Sequence, residues 1–305
     1  MSVTTAKGPA QRIWKQVTAT VVLQRKYDRD FHWLELEVAG DFAMPVAGQF
    51  VQLLLTPPSP VLLPRPMSIA AATRKRARAA RPGAIVMGFL YSPVGVGTRA
   101  IAALEPGATV EVTGPLGVGY PLDAPGTPVL VAGGRGVAPL LMAADTLAAQ
   151  GRACEFIFGA REKALLIGLP EARERIAKAG GRLHLATDDG SRGFKGDVVQ
   201  LLGTLLAKWT SPHVIHSCGP HAMLSAIARW GMQHGVPAHL AMESVMACGT
   251  GVCRGCPLPR SESAKAAVRA LGAGAASLKG NPEYAMCCTD GPVFEAHDLD
   301  WDRVE

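Results

Sequence analysis

The periodicity of this 305-residue chain changes at Pro128, and that change does most to limit its architecture. Upstream, residues 14–118 read as short alternating or apolar runs, "QVTATVVLQRKY", "FHWLELEVA", "GQFVQLLL", "AIVMGFLYS" and "TVEVTGPL", broken by Pro and Gly. Strand-length runs at regular spacing specify an antiparallel sandwich or barrel. Downstream, "PVLVAGGRGVAPLLMAADTLAAQG" reads as a buried strand, a glycine turn and an amphipathic helix, followed by the strands "CEFIFGA", "RLHLATDD" and "HVIHSCG". Strands alternating with helices imply a parallel α/β sheet. From about residue 243 the chain is rich in glycine and cysteine and poor in core residues, as expected of a small domain held by a metal centre. The expected fold is multidomain α/β plus β: an antiparallel β-barrel over 14–124, a parallel α/β nucleotide-binding domain over 125–242 and a small C-terminal domain over 243–305. Within the last, "SESAKAAVRALGAGAASLKG" predicts a short helix inside a long insertion. No internal repeat is visible.

The C-terminal segment carries the most specific chemistry. Cys248, Cys253 and Cys256 stand in "CGTGVCRGC", a C-x4-C-x2-C run completed by Cys288, the plant-type spacing for a [2Fe–2S] cluster. Such a loop must wrap an inorganic core so that thiolates and backbone N–H groups converge on it. Gly249, Gly251 and Gly255 allow this, since glycine enters positive φ without a Cβ clash. A structural zinc site is the competing reading, although zinc sites usually pair two short spacings. Unligated thiols are the third.

Composition narrows the setting. Hydrophobic residues make up 48% of the chain, too many for a disordered protein. The apolar runs are strand-length, well short of the roughly 20 residues of a membrane helix. The N-terminal "MSVTTAKGPAQRIWKQ" lacks an apolar signal core, so a cytoplasmic protein without a membrane span is expected. Seven cysteines there favour metal or redox chemistry over disulfides. The net charge of +6 does not imply nucleic acid, because Arg74, Lys75, Arg76, Arg78 and Arg81 supply five charges and without them the balance is +1. That run lies between two strand-like segments and reads as a solvated hairpin loop, with a protein-docking patch as the minority reading.

Three weaker constellations precede the cysteines. "LPRPMSIA" sets Arg65 and Ser68 at a strand edge, with Pro64 and Pro66 excluding helix; a guanidinium there suits a diphosphate, and a plain surface arginine is the alternative. "VGVGTRA" offers Gly97 and Thr98 at the start of a helix, an anion site or simply a cap. "GGRGVAP" opens the first α/β helix after a buried strand, the context of a dinucleotide pyrophosphate, although it is not the full G-x-G-x-x-G and a tight crossover without ligand remains open. Cys218 in "SCGPHAML" ends a strand at the edge where α/β folds bind ligands, or is a small core residue there.

Taken together, RPMS, GxGT, GGxGVAP and CGP in this order resemble the ferredoxin–NADP reductase superfamily. "TDDGSRGFKGDV", "MACGTGVCRGC" and "CTDGPVF" narrow the likeness to the iron–sulfur electron-transfer subunits of class 1B dihydroorotate dehydrogenases, from about residue 14 to the end. The resemblance implies an FAD-binding barrel, an NAD-binding α/β domain and a [2Fe–2S] domain. Arg65, Pro66 and Ser68 would then meet the flavin, Gly97 and Thr98 its diphosphate, and Gly133, Gly134 and Gly136 the NAD pyrophosphate. Asp188, Asp189 and Gly190 would lie in the NAD-side loop and Cys218 near the nicotinamide, with Cys248, Cys253, Cys256 and Cys288 holding the cluster. The implied partner is an FMN-containing catalytic subunit of pyrimidine synthesis, with electrons running from dihydroorotate to partner FMN, cluster, FAD and NAD. Two features depart from the family: 31 residues separate the third and fourth ligands, and the fourth position is a doublet, Cys287–Cys288. The runner-up is the NAD(P)H-side subunit of another complex, a ferredoxin:NADP oxidoreductase or sulfhydrogenase-like assembly; a non-enzymatic zinc-bearing scaffold is the reading of a different class.

The remaining candidates have plainer readings. His213, His216, His221, His234 and His239 show no ligand spacing and read as surface or satisfied core residues, and Cys154 in "ACEFIFGA" as a buried inert thiol. "GRGVAP" lacks the Walker lysine and serine. "FGARE" and the pair Asp188–Asp189 favour NAD over NADP, because Arg161 and Lys163 beside Glu162 make a poor 2′-phosphate site.

Overall fold

The computed structural model describes residues 14–27, 31–56, 59, 61–76, 83–270 and 281–304. Its first half is one antiparallel sheet of β1 (Lys15–Lys26), β2 (His32–Val38), β3 (Phe50–Leu55), β4 (Arg65–Ser68), β5 (Ala71–Arg74), β6 (Ile85–Tyr91) and β7 (Thr109–Leu116). The strand order is β4-β3-β7-β1-β2-β6-β5, so consecutive strands β4 and β5 lie at opposite edges. Laid flat, seven strands would part those edges by about 29 Å, whereas the link from Ser68 to Ala71 spans at most about 11 Å. The sheet must therefore curl. Because β4 and β5 do not pair with each other among the described residues, the result is a half-barrel, a refinement of the expected antiparallel β-barrel. Between β6 and β7 lies the short helix α1 (Val96–Ala102).

The predicted change of architecture follows. Strands β8 (Thr127–Gly133), β9 (Glu155–Ala160), β10 (Arg182–Thr187), β11 (Phe194–Lys195), β12 (His213–Cys218) and β13 (Ala238–Ala241) run parallel in the order β11-β10-β9-β8-β12-β13. They alternate with α2 (Val137–Ala149), α3 (Leu169–Lys178), α4 (Val198–Leu206) and α5 (His221–His234). Helix α2 is buried almost all round, from Val137 through Ala144 and again at Leu147. The cause is its position: Leu140 and Leu141 share one apolar cluster with Leu34 and Phe89 of the half-barrel, so the two halves are packed through this helix.

The C-terminal segment contributes β14 (Pro257–Pro259), α6 (Glu262–Ala270), β15 (Tyr284–Met286) and β16 (Val293–Glu295). The short helix expected in the insertion is α6; residues 271–280 of that insertion lie outside the described residues. β14 and β15 pair with each other, while β16 pairs antiparallel with β13 and completes the α/β sheet. Among the described residues the segment has no separate core: Cys256, Met286 and Cys288 pack in one cluster with Val129 and Leu240 of the sheet and with Phe50 and Leu116 of the half-barrel.

The basic run begins at Arg74 in β5, which pairs directly with β6 as the expected hairpin requires. Arg74 donates to the carbonyls of Gly40 and Gly83 and Lys75 pairs with Glu37, while Arg78 and Arg81 lie outside the described residues. No helix among the described residues is long and apolar enough to cross a membrane.

Candidate functional site

Neighbouring strands β8 and β12 send their chains to opposite sides of the sheet, which makes the gap at their carboxyl ends the switch point where α/β folds bind ligands. The turns after both strands cross there in close contact. A Cβ on Gly136 would stand 2.1 Å from the Cys218 carbonyl oxygen, and one on Gly133 would stand 2.5 Å from the Met223 sulfur. Gly134 differs, with φ of +53° and open space where its side chain would be. Of the three glycines expected at a pyrophosphate, Gly133 and Gly136 leave no room for a side chain where the turns pack, and Gly134 has open space beside it.

Two further loops meet at the same edge of the sheet. The Asp188 and Asp189 N–H groups donate to the Ala160 and Arg161 carbonyls, and the Lys163 N–H donates to the Ser191 hydroxyl at 2.8 Å. Asp189 accepts from the Ser191 N–H and hydroxyl, bonds that hold its carboxyl below the usual range. Gly190 turns the chain at φ of +77°. "FGARE" and "TDDGS" therefore form one surface.

On the half-barrel side, the Arg65 guanidinium lies across the first turn of α1, so close that a Cβ on Gly97 would meet its Nε. Arg65 is steadied by bonds from Nη1 to the carbonyls of Leu63 and Pro64. The Thr98 hydroxyl accepts from the Gly95 N–H at 3.0 Å, closing the turn. A permanent cation over a glycine turn is a cradle for a diphosphate, and the residues present fit that group.

A crevice of about 140 Å³ joins the two halves, with Pro66, Ser68 and Tyr91 on one wall and Arg135, Cys218 and Glu243 on the other. Burial pushes the Cys218 thiol well up, and the Glu243 carboxylate adds to it, so this sulfur is protonated. Burial likewise raises Tyr91 to about 12. Tyr91, Arg135 and Glu243 were not singled out in the sequence. Tyr91 had a local signal, since it ends β6 just before the glycine turn; Glu243 had none beyond following β13.

In the cysteine loop, backbone donors point at sulfur. The N–H groups of Thr250 and Cys253 lie 3.4 and 3.5 Å from the Cys248 Sγ, and the Gly255 N–H lies 3.4 Å from the Cys253 Sγ. Partial burial opposes ionisation of Cys248, but the donors from Cys253 and Thr250 outweigh it and bring the thiol down to about 6. The Cys256 and Cys288 sulfurs lie 3.3 Å apart; hydrogen bonding between them lowers Cys256 to about 7 and pushes Cys288 up. Among the described residues no three His, Cys, Asp or Glu side chains close around one metal point. The Cys256 and Cys288 thiols instead approach as a pair, while Cys253 meets the Cys248 sulfur through its backbone N–H. Two thiolates on one tetrahedral metal stand roughly 3.8 Å apart at bonds of about 2.3 Å, so the 256–288 pair is near that spacing. Paired thiols and N–H donors fit a two-metal core. Cys287 is fully buried, with its thiol donating to the Met242 carbonyl at 3.6 Å.

The remaining residues divide. Cys154 is buried and raised to about 12, as expected of an inert thiol. His216 departs from the expected satisfied core histidine: it is fully buried, neither ring nitrogen has a hydrogen-bond partner among the described residues, and it stacks on His239 with Tyr120 edge-on.

Comparison with known proteins agrees with this geometry. Residues 130–229 match the family model of an oxidoreductase NAD-binding domain. The chain is 33% identical to the dihydroorotate dehydrogenase B (NAD(+)) electron transfer subunit of Geobacillus thermodenitrificans, covering 92% of this chain and 96% of that one. It is 30% identical to the subunit of the same name from Desulforamulus reducens, over 89% and 93%. Among solved structures, an NADH-dependent reduced ferredoxin–NADP oxidoreductase superposes with a TM-score of 0.72 at 24% identity, covering 94% and 91%, which supports the shared fold. A cytochrome P450 reductase of Amycolatopsis matches with a TM-score of 0.59 at 27% identity, over 75% and 69%. With a ferredoxin–NADP reductase-like half-barrel, an NAD-binding α/β half and full-length relatives of one name, the chain belongs to the family of dihydroorotate dehydrogenase B electron transfer subunits.

Proposed function

We propose that this chain carries electrons between NAD(H) and an FMN-containing partner subunit that oxidises dihydroorotate, using FAD in the crevice and a [2Fe–2S] cluster in residues 243–305. The observation that carries the reading is the convergence of Ser68 from β4 with Cys218 from β12 in one crevice, beside a cysteine loop whose N–H groups face sulfur. Nicotinamide moves electrons in pairs and an iron–sulfur cluster moves them singly, so flavin, which does both, supplies the exchange between them.

The chain's own residues bind and orient. Arg65, Gly97 and Thr98 hold the flavin diphosphate, with Pro66 and Ser68 against the flavin, and Gly134 with the turn at Arg135 receives the NAD pyrophosphate. The 160–163 and 188–191 loops receive the adenosine end. Cys218 keeps its proton and offers a small neutral wall to the nicotinamide. Cys248, Cys253, Cys256 and Cys288 would hold the cluster through their thiolates. Val245 and Val252 project beside this loop, 86% and 77% exposed, and offer apolar surface to the partner subunit.

The test is purification followed by reconstitution. The holo-protein is expected to be brown-yellow, to contain FAD and iron, and to oxidise NADH with artificial acceptors. It will not oxidise dihydroorotate until the catalytic subunit is added. A colourless protein binding only zinc, or turnover of dihydroorotate by the isolated chain, would overturn the reading.

A further inference from the structure

Strand β3 is buried on both faces. Val51 and Leu53 point into the half-barrel core, whereas Phe50 and, by strand alternation, Gln52 point outward onto the cysteine segment. Gln52 is a polar residue where an apolar one would fill the space, and it is 2% exposed. Its Nε2 donates to the Met246 carbonyl at 3.5 Å, while its Oε1 is buried with no hydrogen-bond partner among the described residues. Leaving an amide oxygen unsatisfied costs about 1–3 kcal/mol, so packing alone is a poor reason to keep glutamine here.

The loop closes directly onto this side chain. A Cβ on Gly249 would stand 2.7 Å from Gln52 Cγ and 2.9 Å from its Nε2, and Gly249 takes φ of +73°. The residue next to Cys248 is therefore pressed against the amide. On its other side, Gln52 is in register with Pro66 of β4, between Arg65 and Met67.

We propose that Gln52 is a positioning residue for the cysteine loop: its amide ties Met246–Gly249 to the strand beside β4 and would set the local dipole beside Cys248 for a cluster held there. The inference rests on the cluster reading above. A neutral amide in contact with the loop affects the free energy of adding an electron there, and a carboxylate in its place opposes that electron.

Two variants test it in the full chain loaded with its cofactors. Redox titration followed by electron paramagnetic resonance gives the cluster's midpoint potential, and iron release to a chelator gives its retention. Gln52→Glu, nearly the same shape, is expected to make the potential more negative than wild type. Gln52→Leu is expected to release iron about 10-fold faster, the usual size of a lost outer-sphere contact. Because burial resists ionisation of a carboxyl at this position, the Gln52→Glu potential is read from about pH 6 to about pH 9. A wild-type potential throughout that range overturns the proposal, whatever the leucine variant does, because a filler side chain would also slow iron loss without setting a potential. If Gln52→Leu fails to fold, the glutamate variant decides alone. Absence of any iron–sulfur signal in the wild-type protein would overturn the cluster reading itself, and the role of Gln52 with it.

Discussion

Cys287 and Cys288 are adjacent in the chain and opposite in environment, one donating into the core at Met242 and the other beside Cys256. Cys288→Ser is therefore expected to lose most cluster iron and its visible absorption, while Cys287→Ser retains both; the reverse pattern would reassign the fourth ligand. The sequence favoured Cys288 only through the resemblance of "CTDGPVF" to the family, because neighbouring residues of a turn can face either way and local pattern alone does not choose between them. His216 makes a second prediction at this scale. Burial, with His239 and Arg152 nearby, brings it to about 3, against about 6.5 in an unfolded chain. Between those values the unfolded state takes up a proton that the folded state refuses. Its stability is therefore full above pH 6.5 and lost as pH falls toward 3, by about 2 kcal/mol between pH 6.5 and 5. Urea unfolding at both pH values should show that loss shrinking in His216→Phe.

At the scale of elements, the β8–α2 turn separates two jobs that one motif was expected to share. Gly136→Ala forces a Cβ onto the Cys218 carbonyl and should destabilise the protein by roughly 1–3 kcal/mol or more. Gly134→Ala meets no neighbour, costs about 1 kcal/mol for its positive φ, and should act mainly by raising the KM for NADH. Denaturation midpoints and diaphorase kinetics on the pair would reveal the split. If the apposed "ARE" and "DDG" loops set the cofactor preference as proposed, kcat/KM with NADH is expected to exceed that with NADPH, and a tenfold advantage for NADPH, about 1.4 kcal/mol, would refute it. The motifs themselves were legible because each is a local strand–turn–helix pattern. What each glycine touches was not, since Gly136 meets a carbonyl 82 positions away in the chain.

For the whole molecule, the order of architectures was legible from periodicity alone, because strand and helix periods are local. The dependence of the C-terminal segment on both halves was not: Gln52, Phe50 and Leu116 look like ordinary strand residues until the cysteine loop covers them. The apolar surface proposed to face the partner gives a prediction at this scale. Val245→Glu should weaken association with the catalytic subunit, read by size-exclusion chromatography of the mixture, while NADH oxidation with artificial acceptors persists. Finally, β16 occupies the outer side of β13. A chain ending at residue 242 would leave that strand with unpaired backbone donors and acceptors beside Leu240, a template for another chain. Shortening the protein to its first 242 residues should therefore yield aggregates rather than a smaller reductase, because the cysteine-bearing tail also caps the sheet against self-association.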